Sequence, residues 1–233
     1  CSEDFGLDRG LLLTTGHTNY AVGPNNDGFS GQEWDIEYSD PFLLNYLVEN
    51  EVIVDGVSLY DACVLEFDMT SSVSTSLGFE VIFGSEEYTE WVNPWYTDAF
   101  CFFVSEINGD IDPNFNSTPQ NIMETGNITN ATCEMENKPI SSWTIHPWLN
   151  QYIPPIPPVN ECLYLDNQDG QFCDAIGYDG YTTPMFFNLS LFPEAIYHIK
   201  MVIIDGVSGS WAGLDSGVFI KKSDGDINNY TTV

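Results

Sequence analysis

The sequence predicts an all-β fold, a two-sheet β-sandwich of jelly-roll type, and three observations carry that reading. Apolar and polar residues alternate with period 2 in one segment after another, as half-buried strands require. Those segments are short and are divided by clusters of Gly, Asn, Asp and Pro, the residues that make turns. Sustained helical periodicity does not occur. With 233 residues, 43% of them hydrophobic and 14% aromatic, the chain has ample material for one packed domain over 1–233 and is not globally disordered.

Residues 10–24 (GLLLTTGHTNYAVGP) read as a strand and a turn, and 25–40 as a polar loop. PFLLNYLVENE has a mixed pattern with room for one helical turn. In VSLYDACVLEFDM, Cys63, Leu65, Phe67 and Met69 share one face while Glu66 and Asp68 take the other. SLGFEVIFGSEEY repeats the pattern with Leu77, Phe79, Val81 and Phe83. DAFCFFVSEI is apolar on both faces, as a strand covered on both sides would be. An irregular insertion of about 106–162 follows, carrying Pro154, Pro155, Pro157 and Pro158 in an extended surface segment that cannot join a sheet interior. Regular alternation returns in ECLYLDN, GYDGYTTPMFFNLSLF, AIYHIKMVIIDG and SGVFIKK, for roughly ten strands in all.

Charge is the anomaly. Thirty-five acidic residues face five basic ones, a formal net charge of −30. A folded chain with that excess repels itself unless salt, bound divalent cations or a cationic partner offsets it, or unless the acids form a well-solvated surface. The same imbalance excludes nucleic acid and anionic membrane as partners, because both demand Lys and Arg. No apolar run approaches the roughly 20 residues of a membrane span.

Six cysteines without a CxxC pair point to structural disulfides in an oxidising, extracellular compartment rather than to zinc. Sequons at Asn116, Asn127, Asn130, Asn188 and Asn229 agree with a secreted glycoprotein. The chain starts at Cys1, without Met or signal peptide, which suggests processing or excision from something longer; Cys1 is a disulfide partner or, less favoured, a lipid anchor.

Seven motifs in order (LLLTTG, YDACVLEFDM, FGSEEYTEWV, TDAFCFFVS, IGYDGYTT, YHIKMVIID and LDSGVFI) resemble the choice-of-anchor L domain, a family of secreted and surface proteins, over residues 6 to 222. The resemblance implies a β-rich, non-catalytic surface module for adhesion, or a structural subunit of a filament or sheath. The long insertion departs from the family pattern, and so do Cys63 and Cys101, where the family carries small apolar residues. Two such replacements together suggest a Cys63–Cys101 bridge. Cys133, Cys162 and Cys173 then staple the insertion, with Cys1 making their pairing ambiguous.

Acids at strand ends and turns are the candidate ligands: Asp61, Glu86, Glu87, Asp98, Asp179, Asp205 and Asp215. Oxygen ligands gathered on loops at one end of a sandwich suit Ca²⁺, which takes six to eight of them. Taken singly, each acid equally suits a turn or a cap. Two weaker calcium-loop mimics, Asn108-Asp110-Asp112-Asn114 and Asp166–Asp174, lack the full twelve-residue pattern and read as turns. An enzyme alternative rests on Glu33, Asp35 and Glu37 in EWDIEYSD, whose alternation puts Glu33 and Glu37 on one face as a retaining glycoside hydrolase requires. His17, His146 and His198 have no zinc-site spacing. Trp91, Trp95 and Tyr96 flank the acids and suit, in order of preference, a hydrophobic lid, an interface with other surface proteins or copies of the chain, or a platform for glycans.

Overall fold

The computed structural model describes residues 9–25, 31, 36–109, 111–170, 173–208, 214–222 and 230–232. The strands are β1 (Leu11–Thr14), β2 (Ser58–Ser71), β3 (Thr75–Ser85), β4 (Tyr96–Glu106), β5 (Gln120–Asn121), β6 (Ile140–Ser141), β7 (Tyr164–Asp166), β8 (Gly180–Thr182), β9 (Met185–Leu191), β10 (Ile196–Val207), β11 (Ser216–Lys222) and β12 (Tyr230–Thr232). They form two antiparallel sheets packed face to face, the all-β sandwich expected. One sheet has the order β1-β11-β3-β8-β7 with β9 also on β3; the other has β12-β2-β10-β4-β5 with β6 also on β4. The β2–β3, β3–β4, β9–β10 and β10–β11 connections all cross from one sheet to the other. Strand ends from both sheets therefore meet at each end of the sandwich.

Alternation explains the main core. Phe100, Phe102 and Val104 of β4, Tyr197, Ile199, Met201 and Ile203 of β10, Val81 and Phe83 of β3, and Met185, Phe187, Leu189 and Leu191 of β9 point between the sheets. The opposite face of β4 and β10, with Ala99, Cys101, Phe103, Val202 and Ile204, packs on a second core built with Leu43, Leu47, Val52, Ile53, Val57 and Leu59. This is why DAFCFFVSEI is apolar on both sides.

Leu43 and Leu47 belong to a helix longer than the single turn expected, α1 (Pro41–Glu49). Pro41 stands at its first turn, and the Asp40 carboxylate caps it by accepting from the Leu43 N–H at 3.0 Å. Nine residues do not make a stable helix in isolation. Burial of Leu43 and Leu47, worth about 1.5–3 kcal/mol each, holds it to the sheet. Lys200 of β10 adds an ion pair to the capping Asp40 at 2.5 Å.

The expected Cys63–Cys101 bridge is not formed; both are free thiols. In the register, Cys63 lies opposite Ile203 and Cys101 opposite Val202, both on β10, which runs between β2 and β4. Two strand spacings, about 9.5 Å, exceed the ~6.8 Å limit between bridged Cα atoms. Because Val202 and Ile203 are consecutive, the two thiols also point to opposite faces. Cys101 enters the helix-side core and Cys63 packs toward the inter-sheet core.

The insertion is stapled by Cys133–Cys162, with Cα atoms 6.6 Å apart and a sequence separation of 29. Closing a loop of that length contributes about 3–4 kcal/mol. Cys173 is also disulfide-bonded, with its partner outside the described residues, as is Cys1. The insertion sends Met123, Ile128, Ile140, Ile145 and Leu149 into the main core, so it is part of the domain and not an appendage. Pro154, Pro155, Pro157 and Pro158 lie in an excursion closed by the His146–Val159 pairing, with Pro154 and Pro155 at the exposed tip inside the Leu149–Ile156 pairing.

Two outcomes are expected. Alkylation of the denatured, non-reduced protein should label Cys63 and Cys101, and peptide mapping should recover Cys133 joined to Cys162. Leu47→Ala should cost about 2–5 kcal/mol in urea unfolding, because it opens a cavity beneath the helix that packs on that face of β4.

Candidate functional site

Six of the seven acids expected to act together converge at one end of the sandwich, and all six are buried there. Asp98 of β4 and Asp205 of β10 are direct cross-strand partners, a placement in which like charges repel. Asp61 joins them through a bulge. The register of β2 against β10 shifts between Ile203 and Asp205, and Asp61 takes a left-handed φ of 48°, which Asp tolerates better than most residues. Its carboxylate accepts the Ile36 N–H at 3.0 Å.

The other sheet supplies Glu86 and Glu87 after β3 and Asp215 before β11. The Glu86 N–H donates to the Asp215 carbonyl at 3.1 Å, and the Ser216 N–H donates to the Thr15 hydroxyl at 2.9 Å. Two glycines make room. A Cβ on Gly16 would lie 1.9 Å from an Asp215 carboxylate oxygen, and one on Gly217 would lie 2.7 Å from the Tyr178 hydroxyl. Glu87 ties the insertion to the cluster: its Oε2 accepts the Asp98 N–H at 3.2 Å and the Ser142 hydroxyl.

Burial is the largest influence on these groups. It raises Asp98 to about 7; the Ser216 hydroxyl and Asp205 oppose the rise, while the charges of Asp215 and Asp61 add to it. Burial and the Asp98 charge hold Glu87 well above the usual carboxylate range, against the bonds from Ser142 and the Asp98 N–H. Asp205 is likewise raised, by burial first and then by the charge of its cross-strand neighbour Asp98. The Tyr178 hydroxyl is raised by burial and by Asp215, Asp98, Glu86 and Asp205, which places it among the acids. None of the largest influences on these groups comes from a Lys, Arg or His.

Five oxygens of the cluster make no hydrogen bond: Asp98 Oδ2, both carboxylate oxygens of Asp205, the Tyr178 hydroxyl and Ser216 Oγ. Ser216 favours ionised Asp98 electrostatically without reaching hydrogen-bond geometry. Among the described residues, no three His, Cys, Asp or Glu side chains form a ready-made metal-binding group. Tyr178, Ser216 and Ser142 were not legible as site residues. Tyr178 neighbours Asp179 in IGYDGYTT, but only the pairing of β8 and β11 with β3 brings it in.

The seventh acid, Asp179, stands apart, accepting the Asn25 amide at 2.7 Å. The Asn108–Asn114 segment is a hydrogen-bonded turn, as expected: Asp112 accepts from Asn114 and from the Tyr197 hydroxyl, while Asp110 is outside the described residues. At the other mimic, Asp166 accepts the Gln168 N–H, another turn contact. His198 on β10 is held by Asp68 at 2.7 Å and Glu66 at 2.8 Å, and these bonds raise its pKa. Of the enzyme alternative, Glu33 and Asp35 lie outside the described residues. Glu37 is exposed beside a cavity of about 170 Å³, below the roughly 300 Å³ at which ligand pockets begin.

The aromatics expected as a lid, an interface or a glycan platform lie at the surface. Trp91, Trp95 and Tyr96 are 45%, 50% and 36% exposed, and none belongs to the three hydrophobic clusters. Asn116, Asn127, Asn130 and Asn188 are exposed, with the Asn130 amide engaged by the Pro184 carbonyl, and Asn229 is outside the described residues.

Two antiparallel sheets, an exposed aromatic loop and no membrane-crossing helix among the described residues define a β-sandwich module. The family model of the choice-of-anchor L domain matches residues 1–224, and the chain belongs to that family of surface-associated modules. Neither curated proteins nor solved structures give a match.

The raised carboxyls set the sign of a pH effect. Folded Asp98, Glu87 and Asp205 bind protons more tightly than the unfolded chain, whose carboxyls titrate near ~4. Their contribution is therefore full below about 4 and is lost as pH rises through the folded values, near 7 for Asp98. In chelator, the urea midpoint should fall between pH 5 and pH 7.5 more steeply for the wild type than for Asp205→Asn. Equal slopes would remove the cluster as the cause.

Proposed function

We propose that this chain is a non-catalytic, calcium-stabilised extracellular module that makes protein contacts at a cell surface, in adhesion or as a structural subunit of a filament or sheath. Its partners are other surface proteins or copies of itself. Family membership supports the surface role. The observation that carries the contact role is the solvent-facing aromatic group Trp91, Trp95 and Tyr96 on a tied-down loop.

That loop is pre-organised. The Asn93 side chain donates to the Trp91 carbonyl at 2.6 Å and accepts the Trp95 N–H at 2.9 Å. Val54 donates to the Pro94 carbonyl, Ser208 to the Trp95 carbonyl, and the Tyr152 hydroxyl to the Val92 carbonyl. Rigid, exposed Trp and Tyr lose little entropy on binding and are the residues that dominate protein interfaces.

The test is cell clumping by the displayed domain, with ultracentrifugation of the soluble form. Wild type should clump cells or self-associate, and Trp91→Ser/Trp95→Ser should abolish this without altering the thermal midpoint. Clumping undiminished in the variant, or a wild type that neither clumps cells nor associates, overturns the reading.

A further inference from the structure

We propose that Asp98 and Asp205, with the hydroxyls of Tyr178 and Ser216, hold one Ca²⁺ between the two sheets; this rests on the calcium-stabilised reading above. Asp98 and Asp205 are each 2% exposed, and three of their four carboxylate oxygens have no hydrogen-bond partner. The Tyr178 and Ser216 hydroxyls are buried and equally unmet. Buried oxygens left without partners in one place indicate a missing ion or water.

The chemistry selects among ions. All donors are oxygen, which disfavours zinc and other metals that prefer nitrogen or sulfur. Two carboxylates balance a divalent charge, and Asp61, Glu86 and Asp215 add negative potential around them. Five protein oxygens from four side chains, completed by water, fit the six to eight loosely arranged ligands of calcium better than the strict octahedron of magnesium. Only two carboxylates take part, in keeping with the absence of a three-acid group among the described residues.

The donors also span the fold. Asp98 and Asp205 lie on β4 and β10 of one sheet, while Ser216 opens β11 and Tyr178 precedes β8 in the other. An ion at this point clamps the sheets together, and the β3–β4 connection that leaves it carries Trp91 and Trp95.

The experiment uses the whole chain stripped with EGTA, then titrated with CaCl₂ or MgCl₂ by calorimetry and thermal melting. Wild type should bind one Ca²⁺ per chain, melt higher with it, and respond at least tenfold more weakly to Mg²⁺. Asp98→Asn and Asp205→Asn should fold without calcium, because they remove the repulsion, and should bind it at least tenfold more weakly. If calcium stabilises wild type and both variants equally, the site is wrong and the calcium-stabilised reading stands. If calcium neither binds nor stabilises wild type, both fall. Should the variants not fold, Tb³⁺ luminescence of wild type replaces them: emission sensitised at the tyrosine and tryptophan band and displaced by Ca²⁺ is expected, and its absence overturns the proposal.

Discussion

Burying like charges between two sheets is the constraint around which this end of the molecule is arranged. An ionised carboxylate loses several kcal/mol of hydration in such a place, and a neighbouring carboxylate adds repulsion instead of compensation. Three of the five basic residues are engaged away from it. Lys138, Lys200 and Lys221 are committed to Glu51, Asp40 and Glu80 elsewhere. Yet the backbone is shaped to keep the acids in. Gly16 leaves space for Asp215, Gly217 for Tyr178, and the bulge at Asp61 turns a third strand toward the cluster. Left-handed backbone at a non-glycine residue costs about 1–3 kcal/mol, and such costs persist where a site requires them.

The same strands serve a second layer. β4 and β10 bury one face against the opposite sheet and the other against α1, so their alternation disappears into a continuous apolar run. That double burial fixes their register, since a slip of one residue would exchange Cys101 and Phe103 for Phe100 and Phe102 and move Asp98 and Asp205 off the cluster. The polar site is thus positioned by apolar packing on both sides of the strands that carry it.

Much of this was legible in the sequence because period-2 alternation is a local signal. It located β2, β3, β4, β10 and β11, and turn residues located the acids at their ends. What remained hidden was relational. Cys63 and Cys101 looked like partners because both sit in core strands, but pairing through β10 separates them by two strands and opposite faces. Asp179 looked like the other acids, yet the polar segment containing Asn25 claims it. Tyr178 and Ser216 have no chemical signature of their own; only the pairing of β8 and β11 with β3 aims their hydroxyls at Asp98 and Asp205. The exposure of Trp91 and Trp95 was hidden for the converse reason, since an aromatic beside a core strand is as often covered as bare.

The acidic excess and the aromatic loop, unrelated in composition, become one device in three dimensions. The β3–β4 connection begins with Glu86 and Glu87 inside the cluster and ends with Trp95 facing solvent, next to Tyr96 at the start of β4. Glu87 accepts the Asp98 N–H, the Trp91 N–H donates to the Glu87 carbonyl, and the Trp95 carbonyl accepts from Ser208 just beyond β10. Whatever neutralises Asp98 and Asp205 therefore also fixes both ends of the loop that presents the tryptophans. A charge-neutralising ion at the junction would stabilise the sheets and, by the same contacts, reduce the entropy the loop loses on meeting a partner. In a surface-associated module with five basic residues against thirty-five acidic ones, the proposed divalent cation would perform both tasks through oxygens already in place.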